Sequence, residues 1–154
     1  MPIDATDFGD VSMLRDEPSP GDYVRIKEGG YCVVGTATSA MNPGDCVIVD
    51  AGADDSYKTT TSASSVAKAG FVVAGLGATN KQWDYVSAIA NGSLILVRVK
   101  GVTLGRASAA ITRGARVGTS TTAGQVVTTT TQDASLGLAL QTATAQGDRI
   151  RILS

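Results

Sequence analysis

Asn91-Gly92-Ser93-Leu94-Ile95-Leu96-Val97-Arg98-Val99-Lys100 is the stretch from which the fold can be read. Asn and Gly both tolerate positive φ, so Asn91-Gly92 predicts a two-residue hairpin turn. Leu94 to Val97 is continuously apolar, as in a strand covered on both faces. Upstream, Asp84 to Ala90 is expected as the preceding strand, and Ala69 to Leu76 is an apolar run of buried-strand length. Further out, Pro43-Gly44-Asp45 predicts a turn before the strand Cys46–Val49. Tyr23–Lys27, Glu28-Gly29-Gly30 and Tyr31–Val34 predict another hairpin. Helical signals are confined to one or two turns over 62–68 and one short turn over 132–135. The expected fold is all-β, a small barrel or sandwich of about ten short strands.

Gly92 also opens a repeat. Gly92-Ser93-Leu94-Ile95-Leu96-Val97 matches Gly147-Asp148-Arg149-Ile150-Arg151-Ile152 near the end of the chain. Three other blocks match in the same order. Ala40-Met41-x-x-Gly44-x-x-Val47 corresponds to Ala110-Ile111-x-x-Gly114-x-x-Val117, Thr59–Thr61 to Thr128–Thr131, and Gly70-Phe71-Val72-Val73 to Gly137-Leu138-Ala139-Leu140. The body over 21–154 thus reads as an internal duplication with approximate repeats 37–100 and 107–154. In the second repeat Asp148 to Leu153 alternates polar and apolar, which predicts a strand with one wet face.

Composition agrees with a β protein. Val, Ala and Thr recur, there are only two Phe and one Trp, and 18 Gly outnumber four Pro. Val and Thr suit a pleated surface. Hydrophobic residues are 43%, ordinary for a folded domain, whereas charged residues are 18%, below the roughly 25% typical of soluble domains. Ser and Thr must supply surface polarity, or a partner must cover part of the surface. Thirteen Lys and Arg against 14 Asp and Glu leave a net charge of −1, with no nucleic-acid footprint. The start Met1-Pro2-Ile3-Asp4 does not read as a signal peptide, and no apolar stretch has membrane-spanning length; a cytoplasmic site of synthesis is expected.

Catalysis finds little support. The chain has no His, which removes the commonest general base and the Ser-His-Asp and Cys-His arrangements. No Lys sits in a nucleophile motif. Cys32 and Cys46 lack CxxC spacing and read first as buried free thiols, with a disulfide between neighbouring strands as the alternative. Asp50, Asp54 and Asp55 lack the spacing of a calcium loop. Gly75-Leu76-Gly77 lacks the third glycine, helix and acid of a dinucleotide motif. The expectation is a non-enzymatic protein with no cofactor and no metal.

Residues 1–20 differ from the body. They are acidic and turn-rich, yet carry Phe8, Val11, Met13 and Leu14. They read either as a frayed terminus or as an extended arm docking those four side chains on a partner. Trp83 and Tyr85 share one face and read equally as core or as interface anchors.

The second repeat, from Ala107-Ser108-Ala109-Ala110-Ile111-Thr112-Arg113-Gly114-Ala115-Arg116-Val117 through Leu136-Gly137-Leu138-Ala139-Leu140 to the Gly147-Asp148 turn, resembles the capsid decoration (cement) proteins of tailed double-stranded DNA bacteriophages. The resemblance implies a barrel-like virion protein on the outer capsid surface. It further implies trimers that stabilise the expanded shell by bridging major capsid protein subunits, with no nucleic-acid or membrane partner. Two other readings stay open. One is another virion part, such as a tail or fibre base. The other is a small-molecule or carbohydrate binding module drawing on Trp83, Tyr85, Tyr23 and Tyr31.

Overall fold

The computed structural model describes residues 18–25 and 30–154. Phe8, Val11, Met13 and Leu14, with most of the expected arm, lie outside the described residues. The strands are β1 Tyr23–Arg25, β2 Tyr31–Ala37, β3 Cys46–Val49, β4 Ser56–Lys58, β5 Lys68–Leu76, β6 Trp83–Asp84, β7 Leu94–Lys100, β8 Val102–Arg106, β9 Arg116–Thr119, β10 Val126–Thr128, β11 Gly137–Ala139 and β12 Arg149–Leu153. A single 3-10 turn, Gln132–Ala134, is the helical element among the described residues. The protein is all-β, as expected.

Pairing closes two rings. In the first, β2 pairs β4 in parallel, β4 pairs β3, β3 pairs β5, β5 pairs β7, and β7 returns to β2. Strands β1 and β6 hang on this ring, on β2 and β5. In the second, the order is β10-β9-β11-β12-β8, and a parallel bridge between Ala107 and Val126 closes it. The connectivity is the same in both, with β2, β3, β4, β5 and β7 corresponding to β8, β9, β10, β11 and β12.

The matched sequence blocks make matched hydrogen bonds. Met41 and Ile89 exchange two backbone bonds, as do Ile111 and Ala143. Gly44 N donates to Val72 O, and Gly114 N to Ala139 O, both at 2.7 Å. Gly92 N donates to Ala37 O, and Gly147 N to Ala107 O, again at 2.7 Å. Gly92 and Gly147 hold φ of 93° and 90°, where any Cβ is strained. The duplication is therefore a duplication of backbone chemistry at the turns.

Two local expectations are corrected. Asp84 to Ala90 is not a continuous strand: Asp84 ends the two-residue β6, and the chain then leaves the sheet. Asp84 Oδ1 accepts from Val86 N and Ser87 N at 2.8 and 2.9 Å, folding the chain into a bend that leaves only Ile89 bridged, to Met41. The segment 62–68 contains turns and no helix, because its amides turn to the second barrel. Ser64 N donates to Thr119 O at 3.0 Å, and Ser65 N to Thr119 Oγ1 at 2.8 Å.

The first barrel is filled by Ala37, Met41, Val47, Val72, Ile89, Ile95 and Val97. The second is filled by residues including Ile111, Val117, Val126, Ile150 and Ile152, together with Phe71 and Cys46 from the first. The alternation read from the sequence holds: Ile150 and Ile152 point inward, while Arg149, Arg151 and Leu153 point out. On β7, Ile95 and Val97 fill the barrel, while Leu96 belongs to an outer cluster with Cys32, Val34 and Ala74.

Phe71 thus enters the second barrel from outside. Gly105 makes the room: a Cβ there would stand 2.9 Å from the Phe71 ring and 2.8 Å from Ile152. Losing a fully buried Phe costs about 3–5 kcal/mol. Phe71→Ala is expected to lower the urea unfolding free energy by about that amount, whereas Phe71→Leu should cost under half of it. An alanine loss below about 1 kcal/mol would show that the ring is dispensable.

Candidate docking surface

The two barrels meet at a polar joint beside Phe71. Asp45, buried at the start of β3, accepts from Arg106 Nη2 at 2.7 Å and from Asn42 N at 2.8 Å. The neighbouring Cys46 N donates to Gly124 O at 2.9 Å, and its Sγ donates to Gln125 O at 3.3 Å. A Cβ on Gly124 would fall 2.4 Å from the Asp45 carboxyl carbon, so that turn must be glycine. Ser64 Oγ and Thr129 Oγ1, 2.8 Å apart, add a second polar clasp.

Both cysteines are buried and free. Burial, with the Asp45 charge beside it, pushes the Cys46 thiol up to about 12. Burial also raises Cys32, with the Arg98 guanidinium partly opposing it. Neither thiol is a nucleophile at neutral pH. Asp50, at the head of the acidic loop, is already engaged: it accepts from Thr38 Oγ1 at 2.6 Å and Gly52 N at 3.1 Å, and pairs with Lys58 at 3.4 Å. Among the described residues no three Asp, Glu, Cys or His side chains gather into a metal-holding group. No helix of the described residues is long and apolar enough to cross a membrane.

Trp83 and Tyr85 are half-buried and pack on the outer cluster Cys32, Val34, Ala74 and Leu96. Tyr23 and Tyr31 form an edge-to-face pair 6.1 Å apart. They share the sheet face of Val33, the face opposite to Cys32 and Val34. The four aromatics therefore do not converge on one ligand pocket.

A groove of about 360 Å³ runs between the barrels. Val73, Tyr85 and Arg98 line one side, and Val102, Leu104 and Arg106 the other, with Arg149 and Arg151 at the rim. Beyond that rim lies the outward face of β8, β12 and β11. Leu138 stands opposite Leu153, and Leu153 opposite Val102. Leu104 stands opposite Arg151, whose carbonyl accepts from Leu140 N. Cross-strand neighbours lie roughly 5 Å apart, so Val102, Leu104, Leu138, Leu140 and Leu153 form one patch, each 38–50% exposed. Sequence reasoning missed it. The signal was present in Leu-Gly-Leu-Ala-Leu, but the same pattern reads equally well as core.

The phage cement protein family model matches residues 59–153, well over half of the sequence. The chain belongs to that family. Among solved structures, the N base of head fibre gp8.5 from bacteriophage phi29 shares the fold, with a TM-score of 0.53 and 16% identity, covering 79% of this chain and 91% of that one. No curated protein matches the sequence significantly. The cement protein is thus a phage structural protein associated with the virion, and its surfaces are to be read for docking.

Two outcomes follow for this cement protein. Cys46 should resist Ellman's reagent in the native state and react only on unfolding; rapid native labelling would contradict its place at the joint. Asp84, with its backbone hydrogen bonds from Ser87 and Val86, is held down at about 2. Because the folded value is depressed, the bend's contribution is complete above the ordinary value of 3.8 and is lost as pH falls toward 2. Carboxyl NMR should show Asp84 titrating near that value, and Asp84→Asn should abolish the effect.

Proposed function

We propose that this cement protein binds the outer surface of the phage capsid and stabilises the expanded shell by bridging major capsid protein subunits, working as a homotrimer and not as an enzyme. The observation that carries the reading is the apolar patch on β8, β12 and β11. Five large aliphatic side chains half-exposed on a rigid barrel are more than a monomer's surface requires. Covering them is worth about 1 kcal/mol each, roughly half the full-burial value. Association costs about 4–15 kcal/mol in lost freedom. A single patch is therefore a weak anchor, and several copies acting together supply the missing strength. That arithmetic favours an oligomer holding more than one shell subunit, and the family resemblance supplies three as the number of copies.

The shared fold with the phi29 head-fibre base supports a second reading, a base mounted on the head. That reading requires attachment but no reinforcement of the shell.

Sedimentation with expanded capsids tests attachment. Leu138→Asp with Leu153→Asp alters exposed positions and should leave the circular dichroism unchanged while weakening capsid binding more than tenfold. Undiminished binding would exclude the patch. Bound protein should raise the temperature at which the shells open; attachment without that rise favours the fibre-base reading. Light scattering at high concentration should report three times the 15.6 kDa chain mass, and a strict monomer would confine assembly to the shell.

A further inference from the structure

The two halves of the chain differ in sign. From residue 102 onward the charged residues are Arg106, Arg113, Arg116, Arg149 and Arg151 against Asp133 and Asp148, a net charge of +3 within a chain of −1. Asp148 is engaged inside its own turn, accepting from Thr144 N and Ala145 N at 2.8 and 3.1 Å. Register places most of the arginines on the docking face. Arg116 stands opposite Leu138, Arg151 opposite Leu104, and Arg149 opposite Arg106. Residues directly opposite across a sheet share a face, and Arg116, Arg149 and Arg151 are exposed. No Asp or Glu lies on β8, β9, β11 or β12. The face is therefore built from arginine and aliphatic side chains alone along its strands.

The groove carries this face to the first barrel. Arg98 lines it from β7, its Nη1 donating to Val102 O at 2.5 Å. The Nε atoms of Arg98 and Arg106 are buried with no hydrogen-bond acceptor among the described residues. The ion pairs of the described residues are Lys58–Asp50 and Arg106–Asp45, so none reaches Arg98, Arg116, Arg149 or Arg151. Arg149 also faces Arg106 directly, and like charges so placed destabilise a sheet. An anionic partner relieves that repulsion. Guanidinium forks take carboxylate and phosphate alike. A phosphate backbone, however, brings no aliphatic side chains to Val102, Leu104 and Leu138. Carboxylates set among aliphatic side chains match both features, and a partner of that kind covers the arginines and the leucines together. Groove and patch are then one continuous surface.

We propose that the shell surface facing this cement protein presents carboxylates among aliphatic side chains. The carboxylates meet Arg149 and Arg151 at the mouth of the groove and Arg116 beyond Leu138, while the aliphatic groups cover Val102, Leu104 and Leu138. The proposal rests on the shell-binding reading above and adds the chemistry of the partner. Charge complementarity of this kind steers the encounter and fixes its orientation, so the second barrel is the half that faces the shell.

The test sediments the full chain with expanded capsids. Arg149→Glu with Arg151→Glu alters exposed positions and should weaken binding by more than about tenfold with the circular dichroism unchanged. Arg149→Lys with Arg151→Lys keeps the charge and should stay within about threefold of the wild type. Raising salt from about 50 to about 500 mM should weaken the wild type and leave the charge-reversed variant little changed. Shells whose surface carboxylates are amidated with carbodiimide and glycinamide, and which remain intact by electron microscopy, should bind the wild type no better than untreated shells bind the charge-reversed variant. Equal binding of wild type and charge-reversed variant would overturn the proposal, and so would undiminished binding to amidated shells. Both outcomes leave the shell reading standing, because Leu138→Asp with Leu153→Asp tests that separately. Wild-type protein that fails to sediment with shells would overturn the shell reading and this partner with it. Retention of the wild type on duplex DNA at about 150 mM salt, lost in the charge-reversed variant, would assign the face to phosphate and overturn the carboxylate partner.

Discussion

The insertion of Phe71 into the second barrel is the contact on which the rest of the molecule depends. The ring belongs to a strand of the first barrel, yet it meets Ile152 over Gly105 and belongs to the buried cluster of Ile111, Val117 and Val126 in the second. Two small β-barrels that each buried only their own interior would be marginal units. Sharing one aromatic makes the core of the second incomplete without the first. The Asp45–Arg106 pair, the Cys46–Gly124 bond and the clasp of Ser64 on Thr129 all lie around that insertion. They pair the Asp45 carboxylate, the Cys46 amide and the Thr129 hydroxyl, while Arg106 Nε and Gln125 Oε1 stay buried without a partner among the described residues.

The duplicated halves solve one packing problem in two ways. Gly35 and Gly105 occupy equivalent places, each next to a ring that a Cβ would strike. In the first barrel that ring is Tyr57, from its own β4. In the second it is Phe71, supplied from outside. The residue corresponding to Phe71 in the second repeat is Leu138, which stays on the surface. One half is thus self-sufficient and the other receives, and the sheet face that covers a neighbour in the first half is left uncovered in the second. The exposed patch is what the duplication leaves over.

Much of this was legible because it is local. Positive φ at Gly92 and Gly147 is dictated at the turn itself, and the alternation of Arg149 to Leu153 reports one wet face directly. The matched blocks predicted a repeated fold because each marks a turn or a strand start. What stayed hidden was non-local. Nothing near Phe71 says that its ring leaves its own barrel. The bend at Asp84 was hidden by β-prone neighbours, Tyr85 and Val86, although a carboxylate two residues before an amide is a known competitor of strand pairing. The outward Leu residues resembled core because hydrophobicity alone does not say which side of a closed sheet a side chain takes. Trp83 and Tyr85, balanced between core and surface in the sequence, lie half-buried over the outer cluster.

Ring closure carries a consequence for crowding. A strand edge presents unpaired amides and carbonyls that can template pairing with any neighbour. Among the described residues the strands left outside the two rings are β1 and β6, three and two residues long. Many copies of this chain held side by side therefore offer one another little backbone to extend. Contacts between them must be made through side chains, whose fit can be specific and finite, and not through sheets that grow without limit. With almost no free strand edge among the described residues, a crowd of such chains has little means of polymerising.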